Sequence, residues 1–143
     1  MTDNLEIRMG LAERRSAERF KNEDYPGWKS QIDEAAGFEV PIEVEWSELA
    51  VPDYADRYAE YFPQVYFQPL LTAFGEIGAD DMGKEALREG VSKVVVRNTD
   101  EYFSESGITF ADGVLTIDHK SDTNTHHVEE RTKRIQQLLE AAL

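Results

Sequence analysis

Cysteine is absent from the sequence. Its absence excludes disulfide bonds, thiolate zinc sites, iron–sulfur clusters and a cysteine nucleophile. The sequence also lacks an apolar segment near its N-terminus of the kind that directs secretion. Both absences fit a reducing compartment, so we expect a cytoplasmic protein.

Long apolar runs are missing as well, and the sequence therefore predicts no membrane-spanning helix. The 143 residues are 41% hydrophobic and 31% charged, which is typical of one globular domain with an ordinary core. Internal repeats and linker-like stretches are also missing. We therefore assign residues 1–143 to a single domain.

Recognisable catalytic motifs are missing too. The stretch GADDMGKE (78–85) matches the first seven positions of a phosphate-binding loop, but Glu85 stands where such a loop needs serine or threonine. Asp80 and Asp81 would also place two negative charges inside the phosphate cradle. We therefore predict that Gly78 ends one helix and that Ala79-Asp80-Asp81 caps the next one.

Basic side chains are scarce, with 15 Lys and Arg against 29 Asp and Glu and a formal net charge of −14. The excess is greatest in residues 31–90, which carry fourteen acidic and three basic side chains. Such a field repels nucleic-acid phosphates and anionic membranes, so we predict neither direct nucleic-acid binding nor membrane binding. It would attract a cationic partner, although solubility alone also explains an acidic surface.

Two stretches that are present predict strands with one apolar face. In GFEVPIEVEWSEL (37–49), apolar residues alternate with Glu39, Pro41, Glu43 and Glu45, which places the carboxylates on the opposite face of a strand. Pro41 cannot donate to a ladder and therefore predicts an edge position or a bulge.

The second stretch, GITFADGVLTIDH (107–119), predicts a hairpin. Asp112-Gly113 is the preferred pair for a two-residue type I′ turn. This turn would set Phe110 opposite Leu115 and Ile108 opposite Ile117 on the apolar face.

One-sided strands of this kind are most common in antiparallel sheets. We therefore predict an α+β two-layer domain, with a mostly antiparallel sheet of about four strands and helices packed on one face. Helices are predicted before Tyr25-Pro26-Gly27, up to Gly37, over residues 82–91 and from about Thr125 onward.

Seven of the fifteen aromatic residues lie within residues 54–74, several of them at helical spacing. Pro63 and Pro69 are expected to interrupt or restart the helix there. Clustered aromatics usually form core, because each buries roughly 150–250 Å². The alternative is that this segment, with Tyr58 and Tyr66 exposed, forms a homodimer interface or a ligand groove.

The acidic face of the first strand gives the leading functional hypothesis. We expect a small binding or regulatory protein without catalysis or cofactor, which contacts a basic protein partner through the carboxylates of Glu39, Glu43, Glu45, Glu48 and Asp53. A DNA mimic that occupies a nucleic-acid-binding protein is a special case of this hypothesis.

A metal-dependent enzyme is the alternative. The stretch DHKSDTNTHHVEE (118–130) contains every histidine of the chain. On a helix, His126 and Glu130 would share one face, and Asp118 or His119 could complete a nitrogen–oxygen site for zinc, manganese or iron. The enzyme would most simply be hydrolytic. Turn and cap chemistry explains the same residues without any metal.

Overall fold

A four-stranded sheet organises residues 10–143, the part of the chain that the computed structural model describes. The strands lie in the order β1-β2-β4-β3. Their bounds are Ile42–Val44 for β1, Lys93–Arg97 for β2, Ile108–Ala111 for β3 and Val114–Asp118 for β4. Four strands and an α+β composition were predicted, and both are confirmed.

The strand directions differ from the prediction. β1 and β4 both run parallel to β2, and only β3 is antiparallel to its neighbour. The sheet is therefore mixed, and the prediction of a mostly antiparallel sheet was wrong. The alternating pattern reports that one face is buried, but it carries no information on strand direction.

The hairpin between β3 and β4 has the predicted register. Ile108 lies opposite Ile117, and Phe110 lies opposite Leu115. Asp112 and Gly113 have φ angles of 54° and 79°, as a type I′ turn requires at both central positions. Turn chemistry and hydrophobic pattern agree here, which is why local sequence was sufficient.

Burial divides the sheet into an inner and an outer face. Val94, Val96, Leu115 and Ile117 are fully buried and face the helices, and the buried hydrophobic side chains of the described residues form one cluster. Side chains of the opposite parity are exposed at the sheet's margins, as in Glu43 and Thr109, and half-buried at its centre, as in Val95 and Thr116. Helices therefore pack on one face of the sheet.

The stretch 37–49 forms less strand than predicted. Only Ile42–Val44 pairs with β2, and Trp46–Leu49 forms a short helix, α3. The ladder begins at the carbonyl of Pro41 and ends at the N–H of Glu45. β1 is an edge strand, as Pro41 predicts, because proline cannot donate a ladder hydrogen bond.

Residues 11–36 form one helical run, in contrast to the predicted break at Tyr25-Pro26-Gly27. It consists of α1 (Leu11–Arg19), a π-helical turn (Phe20–Asp24) and α2 (Tyr25–Ala36). Pro26 lies in the first turn after the π-helical turn, where a missing N–H is tolerated. Gly37, at φ 85°, ends α2 as predicted. Asp3 and Glu6 stand at the spacing of a capping box and predict the start of the first helix, but both lie outside the described residues.

Residues 58–77 form a second helical run and supply most of the aromatic core. It contains α4 (Tyr58–Phe62), a π-helical turn (Pro63–Phe67) and α5 (Gln68–Ile77), with a proline near the start of each of the last two segments. Among its aromatic side chains, those of Tyr58, Phe62, Tyr66, Phe67 and Phe74 are buried. The prediction of core is confirmed. Tyr58 and Tyr66 are not exposed, in contrast to the condition stated for the alternative, and a homodimer through this segment stays a prediction.

Two further helices complete the inner layer. α6 spans Asp81–Gly90, and the side chain of Asp80 accepts a hydrogen bond from the N–H of Gly83 at 2.8 Å. The predicted cap is thereby confirmed. Apolar spacing also predicts Met82 on one helical face with Leu87 and Val91, but Met82 is 80% exposed whereas the other two are buried. α7 spans Val128–Ala142 and packs against α5.

α7 begins three residues later than predicted. His126 therefore precedes the helix and does not share a helical face with Glu130. Throughout the described residues, every helix is too short or too polar to cross a membrane.

Candidate functional site

The C-terminal ends of β1, β2 and β4 meet at one edge of the sheet, because these three strands are parallel. Three loops extend from this edge: residues 45–53 after β1, residues 98–107 after β2 and residues 119–127 after β4. We call them the β1, β2 and β4 loops, and together they form the carboxyl edge. In sheets with parallel strands, ligands commonly bind at this end.

Hydrogen bonds join the three loops into one unit. The hydroxyl of Ser121 donates to the carbonyl of Leu49 at 2.7 Å, which connects the β4 loop to the β1 loop. The N–H of Lys120 donates to the carbonyl of Tyr102 at 2.8 Å, which connects the β4 loop to the β2 loop. The carboxyl edge is therefore a fixed surface.

Buried polar side chains are concentrated at this edge. Among residues 10–143, the buried polar and charged side chains belong to Asn98, Asp118, His119, Ser121, Arg131 and Thr132. The first four lie at the ends of β2 and β4 or in their loops, and the last two lie in the first turns of α7. Because burying a polar group is unfavourable unless it is hydrogen-bonded, these side chains require matched partners.

Arg131 is 1% exposed and takes part in none of the ion pairs within the described residues. Its guanidinium instead donates to the carbonyls of Thr125 at 2.8 Å, Asn124 at 2.9 Å and Gln64 at 3.1 Å. Burial lowers the pKa of Arg131 to about 10, so the group is still charged at neutral pH. The guanidinium thereby connects α7 to the β4 loop and to the second helical run, residues 58–77.

His119 is fully buried beside Arg131. Its Nδ1 lies 2.6 Å from the carbonyl of Lys120, and its Nε2 lies 3.3 Å from Nη1 of Arg131. A carbonyl can only accept and a guanidinium can only donate, so Nδ1 carries the proton and Nε2 does not. Burial, reinforced by the charge of Arg131, lowers the pKa of His119 to about 4.

The four residues of the metal alternative are not arranged as a site. Asp118 accepts hydrogen bonds from the N–H and hydroxyl of Thr99 at 2.9 and 2.7 Å, and His119 is engaged as described above. His126 and Glu130 are exposed. No group of three or more His, Cys, Asp or Glu side chains is placed to hold a metal ion within residues 10–143. Zinc or manganese binding stays a prediction without support from this geometry.

The carboxylates of the leading hypothesis lie just before β1, on its exposed face and in the loop after it. Glu39, Glu43 and Glu45 are all exposed. The carboxylate of Glu43 pairs with Nζ of Lys93 on β2 at 2.8 Å. An exposed pair of this kind contributes roughly 0–1 kcal/mol to stability, so both charges stay available to solvent.

Glu48 and Asp53 lie in the β1 loop, and each contacts another element of the fold. Glu48 binds the side chain of Arg97 at 2.9 Å and the N–H of Asn98 at 3.1 Å, and its carboxylate raises the pKa of Arg97. Its carboxylate thus also has a structural role. Asp53 is exposed, and its N–H donates to the carboxylate of Glu13 at 3.2 Å.

Each loop of the carboxyl edge contains one non-glycine residue with a left-handed backbone. These are Asp53 and Asp100, both at φ 71°, and Asn124 at φ 50°. Such conformations are uncommon outside glycine and require support from their surroundings. For Asp100 that support includes a hydrogen bond from its N–H to the side chain of Asn98 at 2.8 Å.

Sequence reasoning missed three residues of this edge. Tyr102 and Phe103 are exposed aromatics in the β2 loop, and the signal for them was an aromatic pair within an otherwise polar stretch between two strands. Arg131 lies between Val128 and Ile135 on the apolar stripe of α7, so a charged residue at a core position was its signal.

A groove of about 500 Å³ lies between α5 and α7. Four of its polar side chains pair with one another: Gln68 donates to Thr72 at 2.8 Å, and Gln136 donates to Glu76. Self-satisfied side chains of this kind do not point to a ligand.

No family model matches the chain, and comparisons with curated proteins and with solved structures give no significant match. Any functional inference therefore rests on the chemistry of the carboxyl edge and of the neighbouring acidic surface.

Proposed function

We propose that this chain is a cytoplasmic binding protein without catalysis, which contacts a basic protein partner through an acidic surface. This acidic surface consists of five side chains: Glu39, Glu43, Glu45, Glu48 and Asp53. The metal-dependent enzyme and the DNA mimic stay predictions, and no specific contact in the described residues favours either one.

One observation carries the proposal: Glu39, Glu43 and Glu45 are exposed together on and beside an edge strand whose other side packs into the core. Because β1 is fixed by the core, the carboxylates on and beside it are presented at fixed spacing. The net charge of −14 adds a long-range field that steers a cationic partner toward the protein.

The experiment is affinity capture from the cells that produce this protein. Wild-type protein captures partners, which are identified by mass spectrometry and then produced for binding measurements. We expect a captured protein with a basic surface. Replacing both Glu43→Lys and Glu45→Lys should weaken its binding at least about tenfold and should slow association most at low salt.

A matched charge reversal separates a local surface from a general charge effect. Glu85 and Glu89 are exposed carboxylates on α6, and the pair Glu85→Lys with Glu89→Lys changes the net charge by the same amount. The control should retain most of the affinity. An affinity that is indifferent to Glu43→Lys with Glu45→Lys and to salt would contradict the proposal.

A further inference from the structure

Two aromatic residues that are adjacent in sequence lie in the β2 loop with partly exposed side chains. Tyr102 is 37% exposed and Phe103 is 59% exposed. The other large hydrophobic side chains exposed among the described residues, those of Leu11, Met82 and Leu143, are distant from one another in sequence. Single exposed apolar residues are normal, whereas an adjacent aromatic pair is a typical anchor of a protein interface.

The backbone behind these two side chains is fixed on both sides. The carbonyl of Tyr102 accepts the N–H of Lys120 at 2.8 Å, and the carbonyl of Phe103 accepts the side-chain amide of Asn124 at 2.6 Å. The start of the β2 loop is also held, since Thr99 donates twice to Asp118. The aromatic side chains are therefore presented on an ordered backbone, which lowers the entropic cost of using them in binding.

Carboxylates flank the aromatic pair in the sequence of the same loop. Asp100, Glu101 and Glu105 are all exposed. Lys120 pairs with Asp100 at 3.6 Å. The loop therefore combines two apolar anchors with excess negative charge at its rim, the arrangement of a polar rim around an apolar hot spot.

We propose that the β2 loop docks a protein segment in which an apolar side chain is flanked by lysine or arginine. The apolar side chain packs against Phe103 and Tyr102, and the flanking cations face Asp100, Glu101 and Glu105. Charge complementarity selects this occupant, because an acidic or uncharged segment gains nothing from the surrounding carboxylates.

This inference deepens the proposed function and rests on it, because it identifies the part of the surface that determines specificity. Glu48 connects the acidic surface to the β2 loop, since its carboxylate binds the N–H of Asn98 at the start of that loop. The acidic surface would then supply steering, and the aromatic pair would supply short-range affinity.

The test is a selection of peptides from a random library displayed on phage, with the full chain immobilised. We expect enriched peptides that contain an aromatic or aliphatic residue next to lysine or arginine. Synthetic versions should bind Phe103→Ser at least about tenfold more weakly than wild type, as expected for loss of a hot-spot side chain. Met82→Ser, which alters a side chain that is 80% exposed, is the matched control and should bind like wild type.

Each result decides the inference. Basic, apolar-containing peptides that lose affinity for Phe103→Ser support it. Failure to enrich any peptide, enrichment of peptides without basic residues, or equal binding to Phe103→Ser and wild type would overturn it. Because Phe103 is exposed, Phe103→Ser should unfold at the same urea concentration as wild type, and Tyr102→Ser gives a second variant.

The same variants separate this inference from the proposed function. If a captured basic partner loses affinity for Glu43→Lys with Glu45→Lys but binds Phe103→Ser normally, the proposed function stands and the aromatic anchor is wrong. If neither variant changes its affinity, both are wrong.

Discussion

The contact between His119 and Arg131 shows how single residues determine the carboxyl edge. His119 must be neutral to accept from the guanidinium, and its proton must lie on Nδ1 to donate to the carbonyl of Lys120. A second proton would set an N–H of the imidazolium against Arg131. The charged groups that act on the ring from neighbouring elements are Asp118, which precedes it, and Glu105 in the β2 loop.

The stability of the protein should therefore decrease on acidification. The pKa of His119 is lowered from 6.5 to about 4 in the folded chain, so the unfolded chain takes up this proton first. The stabilisation is complete above pH 6.5 and is lost as the pH falls toward about 4. Urea unfolding of wild type and His119→Gln at several pH values measures it, since glutamine can accept from Arg131 without titrating.

The difference in unfolding free energy between wild type and His119→Gln isolates the contribution of His119, because the carboxylates titrate alike in both proteins. We expect the unfolding free energy of His119→Gln to approach, and then exceed, that of wild type as the pH falls. A difference that stays constant from pH 7 to pH 4 would contradict the assignment.

Arg131 gives a prediction that does not involve pH. Arg131→Lys removes the planar fork that serves the carbonyls of Gln64, Asn124 and Thr125, and leaves buried acceptors unsatisfied. We expect a loss of roughly 3 kcal/mol in the free energy of unfolding. Arg134→Lys is the control, because its side chain is half-buried and makes one bond to the carbonyl of Ile108. Equal losses in the two variants would count against the role of Arg131.

At the scale of elements, local sequence correctly predicts where α6 begins. Asp80→Ala removes the bond to the N–H of Gly83 and should lower the free energy of unfolding by about 1 kcal/mol. Asp81→Ala, one position along the same turn, has no such bond and should have a smaller effect. Thermal or urea unfolding of both variants checks this, and the reverse order would contradict it.

Other elements depended on contacts that sequence does not display. The hairpin 108–118 and the helix end at Gly37 follow from turn residues and apolar spacing, and both were predicted. The direction of β1 relative to β2 depends on the helices that connect residues 45 and 93, so alternation in 37–49 could not predict it. Pro26, Pro63 and Pro69 were interpreted as points where a helix breaks, because π-helical turns have no clear sequence signal.

Only part of the candidate site was predicted, again because sequence does not display contacts between distant residues. Exposure of Glu39, Glu43 and Glu45 follows from period-two alternation and is observed. The pairs of Glu43 with Lys93 and of Glu48 with Arg97 join residues about fifty positions apart. They became visible only through the parallel register of β1 and β2. The metal alternative assumed that α7 begins near Thr125, and a start at Val128 removed its geometry.

For the whole molecule, the dominant property is the net charge of −14. Repulsion among carboxylates opposes the compact state and is screened by salt. We expect the unfolding temperature to rise when sodium chloride is increased from about 0.01 M to about 0.1 M, as the Debye length falls from about 30 Å to about 10 Å. A fall in the unfolding temperature would mean that attractive pairs outweigh this repulsion.

The central claim is that basic partners bind at the acidic surface and the β2 loop and not wherever the protein is acidic. A titration of isotope-labelled protein with a synthetic peptide, in which one leucine separates two pairs of arginines, tests it by NMR. We predict shifts concentrated in residues 43–48 and 100–105. Shifts of equal size along residues 81–89 of α6, or spread evenly over the carboxylate-bearing surface, would contradict the claim.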